Sequence, residues 1–282
     1  MSSMVERPWP AKGEWGRFLW HFALNNAHAC TFPFALVGCL ALTKALPILG
    51  IARYDLLFFL CLAIQGLMVW KNLETWRDAA VVGVFHLLGI GLEIYKVNQG
   101  SWSYPEPGIL KIAGAPLYAG FMHGSVASFM CLAWKRFGLR SSGWPSAWVT
   151  WGVAGTLYTL FFIPIDGPKY RLITLAIVIL LFAKSKVHYT VNRCRYWMPM
   201  PLAFLLIGSM IYIAENLATF FGAWMYPYQS GGWQPVHLTK MVSWSLLMTV
   251  SLVIVAEYKR TLGLLTQKNG ATDGGCPVEV QA

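Results

Sequence analysis

The sequence contains eight apolar runs that are long enough to cross a lipid bilayer as helices, and this feature restricts the fold more than any other. A spanning helix needs about 20 predominantly apolar residues. The runs cover residues 31–49, 54–73, 79–97, 114–134, 146–165, 170–186, 200–221 and 236–257. Only 12% of the residues are charged, whereas about a quarter are charged in soluble domains. The chain is therefore predicted to be an all-α membrane protein with about eight transmembrane helices.

The distribution of basic residues predicts how these helices are oriented. With eight spans, both termini and the connections 2-3, 4-5 and 6-7 lie on one side, and that side carries 15 of the 22 Lys and Arg residues. Excess Lys and Arg marks the cytoplasmic face, so both termini are expected in the cytoplasm. This arrangement also accounts for the net charge of +10. We expect membrane lipids as partners and no nucleic acid.

A short motif occurs twice in the chain and indicates an internal repeat. The two copies are Glu93, Gly100, Trp102, Tyr104, Pro105 and Glu215, Gly222, Trp224, Tyr226, Pro227, with every residue 122 positions after its counterpart. Each copy follows one apolar run and precedes another. Equivalent spans differ by four, so both halves have the same orientation. The sequence predicts two parallel four-helix repeats related by an axis along the membrane normal.

The repeat also gives a division of the chain into segments. The segments are a cytoplasmic tail with an interfacial helix at 1–30, a first repeat at 31–136, a linker at 137–145, a second repeat at 146–260 and a disordered tail at 261–282. The turn in Pro47–Leu56 resembles the turn in Pro164–Leu172, since each has a proline, a glycine, a basic residue and then a tyrosine. This second similarity supports the boundaries of the repeat.

Two glutamates are the strongest candidates for a functional site. Of the twelve acidic residues, Glu93 and Glu215 alone lie inside apolar runs, near the ends that precede the two motif loops. Placing a charge in the middle of a membrane helix costs about 2.5 to 3.5 kcal/mol on insertion scales. Because this cost occurs twice at equivalent positions, we expect the two carboxyl groups to act as a proton donor and a proton acceptor.

Several nearby residues are candidates for assisting these glutamates. His86 lies seven residues before Glu93 and therefore on the same helix face. After the second motif, His237 and Lys240 are three residues apart and could bring a proton carrier and a cation towards Glu215. Tyr118 occupies the position that corresponds to His237 in the first half. The alternative for His237 and Lys240 is that they are ordinary anchors at a membrane interface.

Four aromatic residues of the motif, Trp102, Tyr104, Trp224 and Tyr226, are candidates for binding a substrate. The alternative is an interfacial aromatic belt. Rings beside a carboxylate suit two chemistries: they can hold a cation or stabilise a carbocation formed by proton transfer. A metal site that also uses His123 is a weaker hypothesis, because the clustered spacing typical of metal ligands is missing. The sequence predicts no metal and indicates no particular cofactor.

One stretch resembles a known family. The run from Glu93 to Glu106, E-I-Y-K-V-N-Q-G-S-W-S-Y-P-E, and the run from Pro116 to Met122, P-L-Y-A-G-F-M, resemble the bacterial multi-span membrane proteins grouped as domain of unknown function 817. The resemblance covers most of the chain from residue 19 to residue 260. It implies a multi-pass protein of the bacterial cytoplasmic (inner) membrane and brings no known activity.

A more distant likeness involves membrane carotenoid hydratases and small lycopene cyclases. These enzymes also have a helix glutamate followed by a Gly or Trp, a Tyr and a proline that opens the next span. Glu93, Gly100, Tyr104 and Pro116 match this loose pattern, and the doubled Glu-Trp-Tyr element departs from it. The likeness implies an apolar, isoprenoid-like substrate.

The sequence therefore favours one function and leaves one alternative open. The favoured function is an intramembrane enzyme that uses paired glutamates for acid-base chemistry on an apolar or isoprenoid-like lipid. The alternative is a transporter or permease for a small cationic or amphiphilic solute, in which the same carboxylates bind the solute or a proton. Gly- or Pro-interrupted half-helices, which are typical of such transporters, are not evident in spans 3 and 7.

Overall fold

The computed structural model describes residues 7–46, 50–163 and 168–265, and these ranges are mainly helical. The helices are α1 (Trp15–Ala29), α2 (Thr31–Ala45), α3 (Arg53–Trp70), α4 (Trp76–Asn98), α5 (Tyr118–Phe137), α6 (Ala147–Leu160), α7 (Pro168–Leu181), α8 (Met200–Phe220) and α9 (Thr239–Thr261), with a short 3-10 helix at Pro227–Gln229. The ends of two predicted spans, at 49 and 165, and parts of the two similar proline turns lie outside the described residues.

Four of these helices are long and apolar enough to cross a membrane, and a fifth span results if the bent pair of α1 and α2 counts as one. The four are α3, α4, α8 and α9, which correspond to predicted spans 2, 3, 7 and 8. The chain thus has the apolar helices of a membrane protein. The layout of eight spans in two repeats stays a prediction.

The first two helices form a bent pair. The angle between α1 and α2 is 66°, with the break at Cys30. The predicted interfacial helix is present but continues to Ala29. One face of α1 is partly buried, because Phe18 lies 4.9 Å from the ring of Tyr196 and Phe22 lies 5.4 Å from that of Phe137. Its other face exposes apolar residues, as expected for a helix in a membrane interface.

The remaining predicted spans depart from the simple pattern in two ways. Helix α5, predicted span 4, is largely buried among other helices, so it carries small and polar residues on its packed faces. Helices α6 and α7, predicted spans 5 and 6, have 14 residues each, which gives about 21 Å of helix. This length is less than the roughly 30 Å of a bilayer core.

The sequence analysis missed two small antiparallel sheets. Strands β1 (Lys111–Ile112) and β2 (Ala115–Pro116) form one hairpin. Strands β3 (Arg140–Ser142), β4 (Lys186–Val191) and β5 (Cys194–Pro199) form a three-stranded sheet in the order β3-β4-β5. The segments that contain β3, β4 and β5 were expected to be basic loops, so the all-α prediction is corrected here.

Two helix pairs position the candidate site. Helix α4 packs along α5, and α8 packs along α9. The approach of α4 to α5 is close, because a Cβ atom on Gly89 would lie 2.6 Å from the side chain of His123. Each pair is joined by one of the two motif loops, so both loops lie where a long helix ends.

Candidate functional site

The repeated glycines have the same structural role at the ends of α4 and α8. Gly100 and Gly222 have positive φ angles of 67° and 71°, which glycine adopts without a steric penalty. At each end, two backbone N–H groups bond to carbonyl groups of the last turn in a Schellman arrangement. This turn directs the chain back across the helix end. The aromatic residues that follow can therefore reach the glutamate one and a half turns earlier.

Glu93 is buried in α4 and its carboxylate accepts three hydrogen bonds. The indole N–H of Trp102 and the hydroxyl of Tyr104 both donate to Oε2, at 2.7 Å each. His123 Nε2, from α5, lies 3.1 Å from Oε1. The side chain of Glu93 is 6% exposed. The local motif thus supplies two donors, and the neighbouring helix supplies a third group that can carry a proton.

Glu215 occupies the equivalent position in α8 and has a different set of partners. Tyr226 donates a 2.5 Å hydrogen bond to Oε1, and Trp244 donates a 2.5 Å hydrogen bond to Oε2. The residue is 2% exposed. Tyr226 is the counterpart of Tyr104, whereas Trp244 comes from α9 and occupies the place that His123 has beside Glu93. Trp224, the counterpart of Trp102, is instead buried in a cluster with Tyr104 and Tyr226.

The two motif loops bond directly to each other. Ser103 and Met225 form an antiparallel bridge, in which each N–H donates to the carbonyl oxygen of the other residue at 2.9 Å. These residues are 122 positions apart and therefore occupy corresponding positions in the two copies of the motif. A bond between equivalent residues is expected near a two-fold axis. The bridge brings the two halves of the chain together at the candidate site.

An aromatic contact and a lysine connect the two glutamates. The ring of Trp102 meets the ring of Tyr226 edge to face, with centroids 6.0 Å apart. Since Trp102 bonds to Glu93 and Tyr226 bonds to Glu215, one continuous set of contacts joins the two acids. The ammonium of Lys240 lies 4.6 Å from the ring centre of Tyr226 and 5.3 Å from that of Trp102. Its charge interacts with both carboxylates.

Residues of the first half also fix the end of α8. Arg53 donates from its guanidinium to the carbonyl oxygens of Phe221 at 2.7 Å and Gly222 at 3.1 Å, and it forms a 2.6 Å ion pair with Glu106. A cation at the carboxyl end of a helix is favourable for the helix dipole. The buried hydroxyl of Tyr118 donates to the carbonyl of Ala223. Tyr118 therefore bonds to the second motif loop, and its hydroxyl proton is not directed at either carboxylate.

Burial keeps the two loop tyrosines protonated. Desolvation is the largest cause that raises the pKa of Tyr104 well above its usual value, and the charge of Glu93 adds to it. Desolvation and the charge of Glu215 raise the pKa of Tyr226 in the same way. Both phenols therefore remain neutral hydrogen-bond donors at ordinary pH.

The structure does not bring every predicted residue to the carboxylates. His86 packs against the ring of Phe121 at 4.5 Å, and its Nδ1 atom is buried without a hydrogen-bond partner among the described residues. His237 is exposed, and its ring lies 4.6 Å from that of Tyr228. The expectation that His237 would approach Glu215 is therefore not met in the geometry. Lys240, three residues later, takes the position between the two loops.

Sequence reasoning missed several functional and buried residues. His123 was considered only as a metal ligand, and Trp244 was not considered at all. Four further acidic side chains, Asp55, Glu74, Asp78 and Glu257, are also buried. Each of these has partners: for example, Asp55 accepts two backbone N–H bonds at 2.8 Å, and Asp78 pairs with Lys259 at 2.9 Å. Because these four acids lie in loops or near helix ends, the sequence analysis did not predict that they are buried.

The arrangement can hold two carboxyl groups in different surroundings. Three groups contact one carboxylate and two contact the other, with the lysine placed between the loops. Different surroundings allow two acids to hold different protonation states. Across residues 7–46, 50–163 and 168–265, no group of three or more His, Cys, Asp or Glu side chains has the geometry of a metal site.

Comparison with known proteins gives a family. The family model described as "Protein of unknown function (DUF817)" matches residues 18–252. The "Uncharacterized protein YoaT" of Bacillus subtilis (strain 168) is 45% identical over 240 residues, which cover 85% of this chain and 91% of that protein. No solved structure matches the chain significantly. The predicted family is thus confirmed, while the carotenoid-enzyme likeness stays a prediction. The chain belongs to the DUF817 family of proteins of unknown function.

Proposed function

We propose that this protein is an intramembrane enzyme that uses Glu93 and Glu215 for acid-base chemistry on an apolar or isoprenoid-like lipid. The observation that carries the proposal is the set of contacts between the two buried acids. Glu93 bonds to Trp102, whose ring meets Tyr226, and Tyr226 bonds to Glu215. A structural role alone does not explain why two desolvated acids share one aromatic contact.

The partners of each acid favour a division of roles. His123 can exchange a proton with Glu93, so Glu93 is the better proton donor, since the imidazole can reload it. Glu215 is bonded by an indole and a phenol that keep their protons, so it is the better acceptor. In this reaction class the donor adds a proton to an alkene carbon, and the acceptor removes one from a carbon beside the cation. The aromatic faces stabilise the positive charge in between.

The proposal is tested by the lipids of cells that express the protein. Lipid extracts are compared by mass spectrometry for the wild type, Glu93→Gln and Glu215→Gln. We expect cells that express the wild type to form a lipid that control cells do not form. Either glutamine variant should form it about 10²- to 10⁴-fold more slowly, which is the usual contribution of a general acid or base. Glu14→Gln is the control, because Glu14 is exposed and its carboxylate bonds to Arg7 and to the N–H of Ala11, outside the network.

An unchanged lipid profile for the wild type, or equal profiles for Glu93→Gln and Glu14→Gln, would contradict the enzymatic proposal. The amount of folded protein in the membrane is measured for each variant by size-exclusion chromatography of the extracted protein. This measurement separates a loss of activity from a loss of protein.

One observation favours a transporter for a small cationic solute as the second candidate. The ammonium of Lys240 lies over the rings of Trp102 and Tyr226, which bond to the two glutamates. Aromatic faces beside carboxylates are the environment that a cationic solute would require. Uptake of labelled small amines into vesicles that contain the purified protein tests this candidate. Uptake that is lost in both glutamine variants, together with an unchanged lipid profile, would favour the transporter over the enzyme.

A further inference from the structure

A group of three cations lies beside the glutamate network at the loop end of the molecule. Lys96 is in the last turn of α4, Arg171 is in the first turns of α7, and Lys240 is in the first turn of α9. Arg171 bonds to Ser243, which lies three residues after Lys240 on α9. Tyr95, next to Lys96, packs against Phe162 at the end of α6 with ring centroids 5.0 Å apart. Like charges this near in surroundings of low polarity repel one another.

These cations have few acidic partners among the residues that the structure describes. Lys240 shares the field of the two glutamates. The ion pairs found in the described ranges include neither Lys96 nor Arg171. Lys96 instead lies 5.5 Å from the ring centre of Tyr95. Two partly buried cations without a bonded carboxylate favour the binding of an anion from outside the chain.

Arg171 is held in position by neutral groups, which leaves part of its guanidinium free to bind. Its Nε donates to the hydroxyl of Tyr170 at 2.9 Å, and one terminal nitrogen donates to the hydroxyl of Ser243 at 3.0 Å. A guanidinium has five N–H donors, so three remain after these two bonds. The planar arrangement of these donors suits the oxygen atoms of a phosphate group.

A small, open apolar crevice lies beside Arg171, between α6, α7 and α9. It is lined by Leu157, Leu160, Phe161, Tyr170, Arg171, Thr174, Ser243 and Leu246. Six of these residues contribute apolar groups: five have aliphatic or aromatic side chains, and Thr174 has a methyl group. The short helices α6 and α7 form two sides of the crevice. A basic group at one end and an apolar wall below it match a molecule with an anionic head and a hydrocarbon chain.

We propose that Lys96, Arg171 and Lys240 bind the phosphate-bearing head of an anionic lipid, whose chain lies along the apolar surface beside the crevice between α6, α7 and α9. The apolar lining favours a lipid over free phosphate. The proposed binding depends on these three cations and on the apolar lining, and it does not depend on the proposed enzymatic function. The statement that the bound lipid is the substrate rests on the proposed function, because Lys240 also lies over the rings that join Glu93 and Glu215.

The test is the retention of lipid by purified protein. Protein is exchanged into micelles that contain phosphatidylcholine and phosphatidic acid, and native mass spectrometry counts the lipids that remain bound. We expect the wild type to retain phosphatidic acid over phosphatidylcholine. Arg171→Gln and Lys96→Gln are expected to lower this preference by about fivefold each, as for a basic residue near a lipid phosphate. Arg171→Lys, which keeps the charge, is expected to restore most of it.

Lys169→Gln is the matched control, since Lys169 is exposed on the same helix two residues away. It is expected to change the preference by less than about twofold. Equal preferences for Arg171→Gln and Lys169→Gln, with both proteins folded by size-exclusion chromatography, would overturn the proposal. Complete displacement of the lipid by inorganic phosphate would also overturn it, because the crevice would then contribute nothing.

The glutamine variants of the two acids separate this proposal from the enzymatic one. Glu93→Gln and Glu215→Gln are expected to keep a preference for phosphatidic acid at least as strong as that of the wild type. Neither residue lines the crevice, and removing a negative charge near Lys240 does not weaken its attraction for a phosphate. Retention without any change of lipid in cells leaves the binding site standing and removes the enzyme. A lipid change without selective retention does the reverse.

Discussion

The first and second motif loops share a frame but differ in the groups that complete it. In both, a glycine ends the helix, and a tyrosine donates a hydrogen bond to the glutamate eleven residues before it. The first site then adds Trp102 and a histidine, whereas the second adds Trp244 and lies beside Lys240. A histidine can gain or lose a proton near neutral pH, and an indole cannot. The shared residues set the geometry, and the differing residues give the two acids different neighbours.

The supports of the two sites are also unequal. Arg53 of the first half bonds to carbonyls at the end of α8, which carries Glu215. Its counterpart in the similar turn of the second half is Lys169, which is exposed. The second site therefore depends on the first half for its position. This dependence distinguishes the pair from two independent copies of one module.

The largest expected effect comes from breaking this support. Arg53→Met leaves several carbonyl groups and Glu106 without a partner in a partly buried place, since the Arg53 side chain is 12% exposed. Removing one partner of a buried charge typically costs about 3 to 5 kcal/mol. We expect a loss of this size in the free energy of unfolding, measured by equilibrium unfolding in mixed micelles.

Lys169→Met provides the comparison, with an expected change within about 0.5 kcal/mol, as is usual for exposed positions. Equal effects of Arg53→Met and Lys169→Met would show that α8 does not depend on the first half. The comparison of the two supports would then have no energetic basis.

The next expected effect separates the two carboxylates by their number of donors. Tyr226→Phe leaves Glu215 with one of its two hydrogen bonds, and Tyr104→Phe leaves Glu93 with two of its three. Hydrogen bonds to charged groups contribute about 1.5 to 3 kcal/mol. We expect a loss of about 3 kcal/mol for Tyr226→Phe and about 1.5 kcal/mol for Tyr104→Phe by the same unfolding measurement. A larger loss for Tyr104→Phe would reverse the assignment of the better-supported acid.

The local part of this site could be predicted from the sequence. The spacing of Glu93, Gly100 and Tyr104, and its exact recurrence, located the two acids and the two phenols, because a helix end, a turn and the next few residues are determined by neighbours in the chain. The helices α3, α4, α8 and α9 were predicted for the same reason: their hydropathy is a property of one continuous segment.

The distant partners could not be predicted in this way. Trp102 bonds to its glutamate but Trp224 does not, although their motifs are identical. The loops that follow differ: the first contains the β1-β2 hairpin, anchored by Asp55, and the second contains a 3-10 helix. Helices α5 and α9, which follow the two loops, therefore pack against α4 and α8 in different registers. As a result, Trp244 of α9 contacts Glu215. No local sequence pattern predicts which face of a distant helix will contact a site.

The missed β4-β5 hairpin did have a signal. Val187, Tyr189 and Val191 alternate along the strand, and Asn192 and Arg193 both have positive φ angles, as in a type I′ turn. The basic residues around this alternation were read as a marker of membrane topology. Both readings apply, because a loop with the charge of a cytoplasmic segment can also form strands.

An alkaline titration tests the burial of the two phenols. Burial raises the folded-state pKa values of Tyr104 and Tyr226 well above the usual tyrosine value of 10.0. Below pH 10 both phenols are protonated whether the protein is folded or unfolded, so they make no difference. Above pH 10 the unfolded chain releases these protons and the folded chain keeps them. The free energy of unfolding should therefore fall by about 1.4 kcal/mol per pH unit for each tyrosine.

The double variant Tyr104→Phe with Tyr226→Phe should lose this part of the alkaline slope between pH 10 and pH 11, and each single variant should lose half of it. Unfolding in mixed micelles at pH 9, 10 and 11 measures the slopes. Identical slopes in the wild type and the double variant would mean that neither phenol is desolvated.

A last comparison concerns two histidines near the two acids, and its smallest expected effect is at His237. His123 lies 3.1 Å from Glu93 with a side chain that is 13% exposed, whereas His237 is exposed beside Tyr228. His237→Ala should change the free energy of unfolding by no more than about 0.5 kcal/mol. His123→Ala should cost about 2 kcal/mol, because it leaves a buried carboxylate oxygen without its partner. If the two substitutions cost the same, His237 contacts the second site in solution, and the two sites are more alike than their present geometry indicates.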